Sequence, residues 1–156
     1  MSIPEGLSAA LGAWEGNYRL WFGPGDPAAE SHTTAQIATV GAGRFLTMTY
    51  TWMYEGKPHE GFILLGVNPM ASELRAEWVD SFHNSDRIME CTGSMPAEGE
   101  VAVSVFGSYP APPGPDWGWR TVLEQPSADE FRLIMFNVPP GAAEVLAVEA
   151  VYKRPA

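Results

Sequence analysis

Apolar and polar residues alternate along most of this chain. The clearest case is residues 45–54, where every second residue is bulky: Leu46, Met48, Tyr50, Trp52 and Tyr54. Successive side chains of a β-strand point to opposite faces, so a period of two predicts strands with one buried face. Ten segments have this pattern: 13–22, 31–40, 45–54, 59–67, 73–82, 87–94, 100–107, 117–124, 130–138 and 144–154.

The connections between these segments are short and rich in Gly, Pro, Asn and Asp, as in Gly23–Pro27 and Asn84–Asp86. None is long enough for a crossover helix, so consecutive strands are expected to pair as hairpins. Closing such an up-and-down antiparallel sheet into a barrel removes its two exposed edges. The predicted fold is all-β: a barrel of about ten strands, formed by residues 1–156 as a single domain.

One short helix is expected at the N-terminus. Ser2 can cap it, Pro4 suits its first turn, Leu7 and Leu11 would share its buried face, and Gly12 would end it. Because this helix precedes the first strand, it is expected to close one end of the barrel, here called the near end. The opposite, far end receives the longer connections, including the proline-rich stretch Ser108–Asp116, and is therefore expected to be the open mouth.

Composition narrows the classes of partner. The chain carries 9 Lys and Arg against 19 Asp and Glu, a formal net charge of -10, which argues against nucleic acid and anionic membranes as partners. A single cysteine, Cys91, excludes an internal disulfide and fits a reducing compartment, where it is expected to be a buried, inert thiol. The start of the sequence lacks the pattern of a signal peptide, so a cytoplasmic protein is expected.

The aromatic and methionine side chains suggest a ligand-binding interior. A barrel of this size commonly leaves room for one small ligand, although its own side chains can also fill it. We expect the binding surface to include both apolar and polar residues: Met48, Tyr50, Trp52, Glu60, Trp78, Trp119, Arg120 and Phe136, with Met135 beside Phe136 in the same row.

Strand order places several polar side chains at the far end, among them Asp80 and His83. Asp80, flanked by Trp78 and Phe82, is a candidate general acid or base, as is His83. An equally open alternative is that Asp80 accepts hydrogen bonds from a buried tyrosine, tryptophan or arginine and holds the mouth in shape. The histidines lack the spacing of metal ligands, so no metal site is expected.

Several short motifs resemble those of a known family: Gly12-Ala13-Trp14-Glu15-Gly16, Gly43-Arg44-Phe45-Leu46, Glu60-Gly61, Trp78-x-Asp80-Ser81 and Tyr152-Lys153-Arg154. Together they resemble the bacterial family of domain of unknown function 1579, within the calycin, or lipocalin-like, superfamily. The resemblance implies a barrel whose Gly12, Trp14 and Arg154 are structural, with the arginine against the tryptophan ring. A neighbouring nitrobindin-like family binds haem through a late histidine, but no histidine follows His83, so no cofactor is expected.

Two functions are favoured at this point, and a third, a purely structural or partner-binding role, would require an exposed apolar patch. The first is binding of a small, largely apolar or aromatic molecule by a monomer or homodimer. The second is a biosynthetic enzyme of the cyclase, isomerase or dehydratase type that uses the same pocket, with Asp80 or His83 moving a proton.

Overall fold

A computed structural model describes residues 3–156, in which ten strands form one closed antiparallel barrel. Each strand pairs with its neighbours in the chain, and β1 pairs with β10. The predicted all-β, up-and-down barrel is therefore confirmed. The strands are β1 (Gly12–Leu20), β2 (Ala29–Val40), β3 (Phe45–Tyr54), β4 (Lys57–Asn68), β5 (Glu73–Asp80), β6 (Met89–Ser94), β7 (Ala102–Tyr109), β8 (Trp117–Ser127), β9 (Glu130–Val138) and β10 (Val145–Lys153).

The N-terminal helix is shorter than expected. It is a single 3₁₀ turn, Glu5–Leu7, and Ser2, the predicted cap, lies outside the described residues. Leu7 and Ala10 are fully buried, whereas Leu11 is 43% exposed and does not share their face. Three residues are too few to present a helical stripe, so the segment closes the near end with two apolar side chains.

Arg154 connects the C-terminal end of the barrel to the N-terminal segment at the near end. Its guanidinium carbon lies 3.8 Å from the centroid of the Trp14 ring, and its Nη atoms donate to the carbonyl oxygens of Ala9 at 2.8 Å and Leu11 at 2.9 Å. The Trp14 Nε1–H in turn donates to the Ala10 carbonyl at 2.7 Å. Gly12 has a φ of +110°, a conformation that disfavours residues with a side chain. The last strand and the first turn are thus joined around one ring.

Most of the barrel interior is packed with its own side chains. The inward rows of all ten strands contribute buried residues, from Phe131 and Tyr152 near the closed end to Trp52 and Trp78 near the mouth. Dense packing of this kind is the normal state of a protein core. No helix in residues 3–156 has both the length and the apolar character needed to cross a membrane.

Candidate functional site

A buried carboxylate organises the far end of the barrel. Asp80, the last residue of β5, is 2% exposed. Its Oδ2 accepts hydrogen bonds from Tyr50 Oη at 2.7 Å and Trp52 Nε1 at 3.2 Å. Trp78 Nε1 donates to the same Tyr50 hydroxyl at 2.9 Å. Three aromatic side chains are therefore held in fixed positions around one buried charge, which needs such partners to be tolerated in the interior.

The second carboxylate oxygen of Asp80 stabilises a turn that directs the chain back toward the mouth of the barrel. Its Oδ1 accepts hydrogen bonds from the backbone N–H groups of Phe82 at 2.8 Å and His83 at 3.0 Å. An aspartate that bonds the backbone two and three residues ahead forms a local turn. The strand therefore ends at Asp80 and not at Phe82, and the His83 side chain lies on the same side as Asp80, whereas regular strand geometry would place the two on opposite faces.

His83 lies within a group of tryptophans. Its ring centroid is 5.4 Å from that of Trp52, 5.9 Å from Trp78 and 5.3 Å from Trp119. Its Nε2 lies 3.3 Å from the hydroxyl of Tyr18, which is fully buried. Burial lowers the pKa of His83, an effect that the nearby charge of Asp80 opposes and His59 reinforces. The imidazole is therefore neutral at pH 7.

One half of the mouth is closed by an aromatic cluster of Phe22, Tyr54 and Phe82. The Phe82 ring centroid lies 5.3 Å from that of Trp52 and 5.4 Å from that of Tyr54. The Phe22 ring packs against both Tyr54 and Phe82. These rings cover Trp52, which is 2% exposed. Trp52, a predicted ligand-binding residue, therefore lies beneath this cluster and borders only a depression of about 550 Å³ that Pro58 and His59 also line.

The other half of the mouth contains a pocket of about 820 Å³. Its walls come from the end of β5, the connection between β5 and β6, the end of β7 and the start of β8. We call it the mouth pocket; it is lined by Trp78, Phe82, His83, Asn84, Ser85, Arg87, Ile88, Met89, Ser108, Tyr109, Pro110 and Trp119. Two depressions of similar volume, about 870 Å³ and 940 Å³, lie mainly over outward-facing side chains of the sheet. The mouth pocket therefore has more of the aromatic, concave character of a ligand site.

Two wall residues of the mouth pocket carry unpartnered polar atoms. Trp119 Nε1 and Asn84 Oδ1 are buried and make no hydrogen bond within the described residues. The orientation of the Asn84 amide is set by its Nδ2, which donates to the Trp78 carbonyl at 3.0 Å, so the oxygen must be the free atom. Buried polar groups are nearly always paired, and the exceptions are common where water or a ligand supplies the partner.

The candidate residues divide into four groups: the pocket wall, its support, the packed core and the outside of the barrel. Trp78, Trp119 and His83 line the mouth pocket, whereas Asp80 lies outside its lining residues and supports it through hydrogen bonds. Met48 and Tyr50 are fully buried in the packed core and do not reach the pocket.

Glu60, Arg120 and Phe136 lie on the outside of the barrel. Glu60 is exposed, and the Arg120 guanidinium lies 4.3 Å from the Phe136 ring centroid while bonding Glu144 at 2.7 Å. These three predicted ligand-binding residues therefore do not face the interior. Side chains alternate along a strand, and Trp119 and Met135, the neighbours of Arg120 and Phe136, take the inward positions.

The sequence pattern does not identify most of the pocket wall. It assigns no site role to Asn84, Arg87 or Tyr109, nor to Tyr18, whose hydroxyl contacts His83. A usable signal was the Asp80-Ser81-Phe82-His83 tetrapeptide, because aspartate at the start of a turn commonly bonds the following backbone. Cys91 is buried deeper in the barrel, and burial raises its pKa to about 12, which makes it a poor nucleophile at neutral pH.

Comparison with solved structures supports the fold. The crystal structure of Rv2717c from M. tuberculosis is similar, with a TM-score of 0.63 and 20% sequence identity over 99% of this chain and 100% of that chain. At this identity the similarity concerns the fold alone. A structure of a putative thioesterase II from Thermobifida fusca matches with a TM-score of only 0.24, at 10% identity over 94% of this chain and 79% of that one, and supports no conclusion.

No curated protein matches the chain significantly. The family model described as protein of unknown function DUF1579 matches residues 4–154, nearly the whole length. Its bounds coincide with the structure described above, from the residue before the 3₁₀ turn to the arginine that fastens the near end. The chain therefore belongs to the DUF1579 family.

Proposed function

We propose that this barrel binds a small, largely apolar or aromatic molecule in the mouth pocket. The observation that carries the proposal is a pocket of about 820 Å³ walled by Trp78, Trp119 and the neutral imidazole of His83. Pockets of roughly 300–1,000 Å³ that are mostly apolar, with a few placed polar groups, are typical of small-molecule sites. Flat aromatic ligands gain further from stacking against indole rings.

The surroundings of the pocket favour a preformed site. Trp78 and Trp119 stack with ring centroids 5.4 Å apart, and Trp78 is fixed by its hydrogen bond to Tyr50. Asp80 holds the backbone of His83, so the third wall is fixed as well. A site whose side chains are already ordered loses little conformational entropy when a ligand binds.

Calorimetric titration with a panel of one-ring and two-ring aromatic compounds tests the proposal. We expect saturable binding by at least one neutral compound such as 2-naphthamide, and a loss of about tenfold or more in affinity in Trp119→Leu, which removes one wall. Trp21→Leu is the matched control, because Trp21 does not line the mouth pocket and its ring packs against Arg19. Absence of binding by the whole panel to a folded protein would refute the proposal.

A second candidate is an enzyme that uses the same pocket, and His83 is the observation that favours it. A neutral imidazole beside an apolar pocket can accept or donate a proton. Asp80 is the weaker candidate for this role, because four hydrogen bonds hold its carboxylate. In the enzyme case His83→Gln abolishes turnover of a bound substrate while leaving its affinity within about threefold; an equal loss of both would favour simple binding.

A further inference from the structure

We infer that the ligand of the mouth pocket is an aromatic carboxylate. This inference rests on the proposed function and adds the chemical class of the ligand. It depends on the polar and charged groups of the pocket, taken in turn below: the protonation of His83, the position of Arg87 and the distribution of acidic side chains.

The first group is the free ring nitrogen of His83. Tyr18 is fully buried, and within residues 3–156 its hydroxyl proton has one acceptor within reach, the Nε2 of His83 at 3.3 Å. Leaving a buried hydroxyl proton unpaired is costly, so the favoured arrangement has Tyr18 donating to Nε2. A neutral imidazole then carries its own proton on Nδ1. Nδ1 makes no hydrogen bond within the described residues, so the pocket wall presents an N–H donor.

The second group is Arg87. Among the pocket-lining residues, all within the described part of the chain, Arg87 is the only charged one. Its side chain forms no ion pair with any residue from 3 to 156. A guanidinium is a planar donor suited to a carboxylate, and hydrogen bonds between two charged groups are roughly twice as strong as neutral ones.

The third observation is where the acidic side chains lie. The protein carries a net charge of -10, yet no carboxylate lines the mouth pocket within residues 3–156. The nearest buried carboxylate, Asp80, has both oxygens occupied by hydrogen bonds from four donors. Asp86, adjacent to Arg87, lines an outer depression of the sheet and not this pocket, whereas Arg87 borders both. A cationic ligand would therefore find no counterion, whereas an anionic one would find Arg87.

The arrangement suits an aromatic ring packed against the stacked Trp78 and Trp119, with its carboxylate oxygens at the His83 N–H and the Arg87 guanidinium. The indole N–H of Trp119, unpartnered in the wall, is a further donor to oxygen once the wall adjusts around a ligand. Three of these groups, the His83 N–H, the Arg87 guanidinium and the Trp119 N–H, are therefore donors, whereas Asn84 Oδ1 is an acceptor and the Ser85 and Ser108 hydroxyls can be either.

Three probes of matched shape test the inference by calorimetry at pH 7.5 and low salt: 2-naphthoate, 2-naphthamide and 2-naphthylmethylammonium. We expect 2-naphthoate to bind about fivefold or more tightly than the amide, and the ammonium compound to bind weakest. In Arg87→Gln the preference for carboxylate over amide should fall to about twofold or less. Arg44→Gln is the matched control, since Arg44 is an exposed arginine in the turn between β2 and β3, far from the pocket.

The outcomes separate this inference from the proposed function. Equal binding of the three probes would overturn the inference and leave a binding barrel. A carboxylate preference that persists unchanged in both Arg87→Gln and His83→Phe would also overturn it, because the preference would arise elsewhere. If none of the probes binds, nor any compound of the aromatic panel, the proposed function itself fails. Arg87 is exposed, so its substitution should leave the melting temperature within about 2 °C of the parent protein.

Discussion

At the scale of the single residue, Asp80 shows how a buried charge can be structural. A carboxylate in the barrel wall would be costly if unpaired, but this one receives two side-chain and two backbone hydrogen bonds. The sequence placed it at the mouth between aromatic residues and left open whether it reacts or supports. Its hydrogen-bond partners favour the structural role, because Tyr50 and Trp52 are the buried tyrosine and tryptophan donors that this role requires.

Replacement of Asp80 by asparagine should strongly destabilise the protein. Asparagine has the same shape but only one acceptor oxygen, so at least one buried donor group loses its partner. We expect the free energy of unfolding to fall by roughly 2–4 kcal/mol, measured by urea denaturation. Asp129→Asn is the control, because Asp129 is exposed, and it should change stability by less than about 0.5 kcal/mol. A loss at Asp80 no larger than at Asp129 would contradict the structural role.

His83 should make stability depend on pH. Burial lowers its pKa in the folded protein, whereas in the unfolded chain it titrates near its ordinary value of about 6.5. The unfolded chain therefore binds the proton more tightly. The contribution of His83 is complete above about pH 6.5 and is lost as the pH falls through the folded pKa. Asp80, which opposes the shift, and His59, which reinforces it, are the charged groups that act on the ring.

The corresponding measurement is the free energy of unfolding between pH 7.5 and pH 5. We expect it to decrease toward pH 5 in the parent protein and to decrease less in His83→Phe, which keeps an aromatic ring among the tryptophans. His32→Gln, at an exposed position, should keep the parent slope. An unchanged slope in His83→Phe would show that other groups cause the dependence.

At the scale of the strand, Gly61 explains how Tyr50 reaches Asp80. Gly61 of β4 lies directly between Tyr50 on β3 and Asp80 on β5 in the sheet register. A Cβ at this position would overlap the Tyr50 ring, including its hydroxyl oxygen. The missing side chain lets the tyrosine cross over β4, which gives a physical reason for glycine in the Glu60-Gly61 motif.

Gly61→Ala should therefore displace the Tyr50 ring and weaken its bond to Asp80. We expect a loss of roughly 1–3 kcal/mol, the range found when a well-packed core is overfilled. Gly114→Ala is the control: the nearest atom to its Cβ would be 3.7 Å away, an ordinary contact. Equal stability of the two variants, by thermal or urea unfolding, would show that the ring tolerates the methyl group.

Strand patterns predicted faces well and ends poorly. In β3 the inward row of Leu46, Met48, Tyr50 and Trp52 is buried as the alternation indicates. The alternating pattern predicts that β5 extends to Phe82, but the strand ends at Asp80. The reason is that the Phe82 N–H donates to the Asp80 side chain instead of to a neighbouring strand. This turn places the His83 side chain in the pocket wall, and the alternation of residues does not predict the turn.

At the scale of the whole molecule, the topology was predictable and the filling of the interior was not. Short connections, an alternating pattern and the requirement to leave no open edge together lead to a closed up-and-down barrel. How much space remains inside depends on the volumes and rotamers of dozens of side chains at once. The tryptophans expected to line one large cavity divide between a packed core and one pocket wall.

Arg154 should contribute to stability without affecting the mouth. Its removal in Arg154→Ala breaks the bonds to the Ala9 and Leu11 carbonyls and the contact with the Trp14 ring. We expect a loss of roughly 1–3 kcal/mol in guanidinium chloride unfolding, with Arg154→Lys recovering only part of it. Affinity for 2-naphthoate should stay within about twofold, because the near end is separated from the pocket by the packed core. A large affinity loss in the folded variant would contradict this separation.

The central claim is that the barrel binds a ligand at its far end, against Trp78 and Trp119, and nowhere deeper. The most direct test follows the indole N–H signals of the six tryptophans by ¹H–¹⁵N NMR during titration with 2-naphthoate. We predict saturable shifts of the Trp119 and Trp78 signals, with the Trp14 signal at the closed end unchanged. Shifts confined to other tryptophans, or no saturable shift at any of them, would contradict the account.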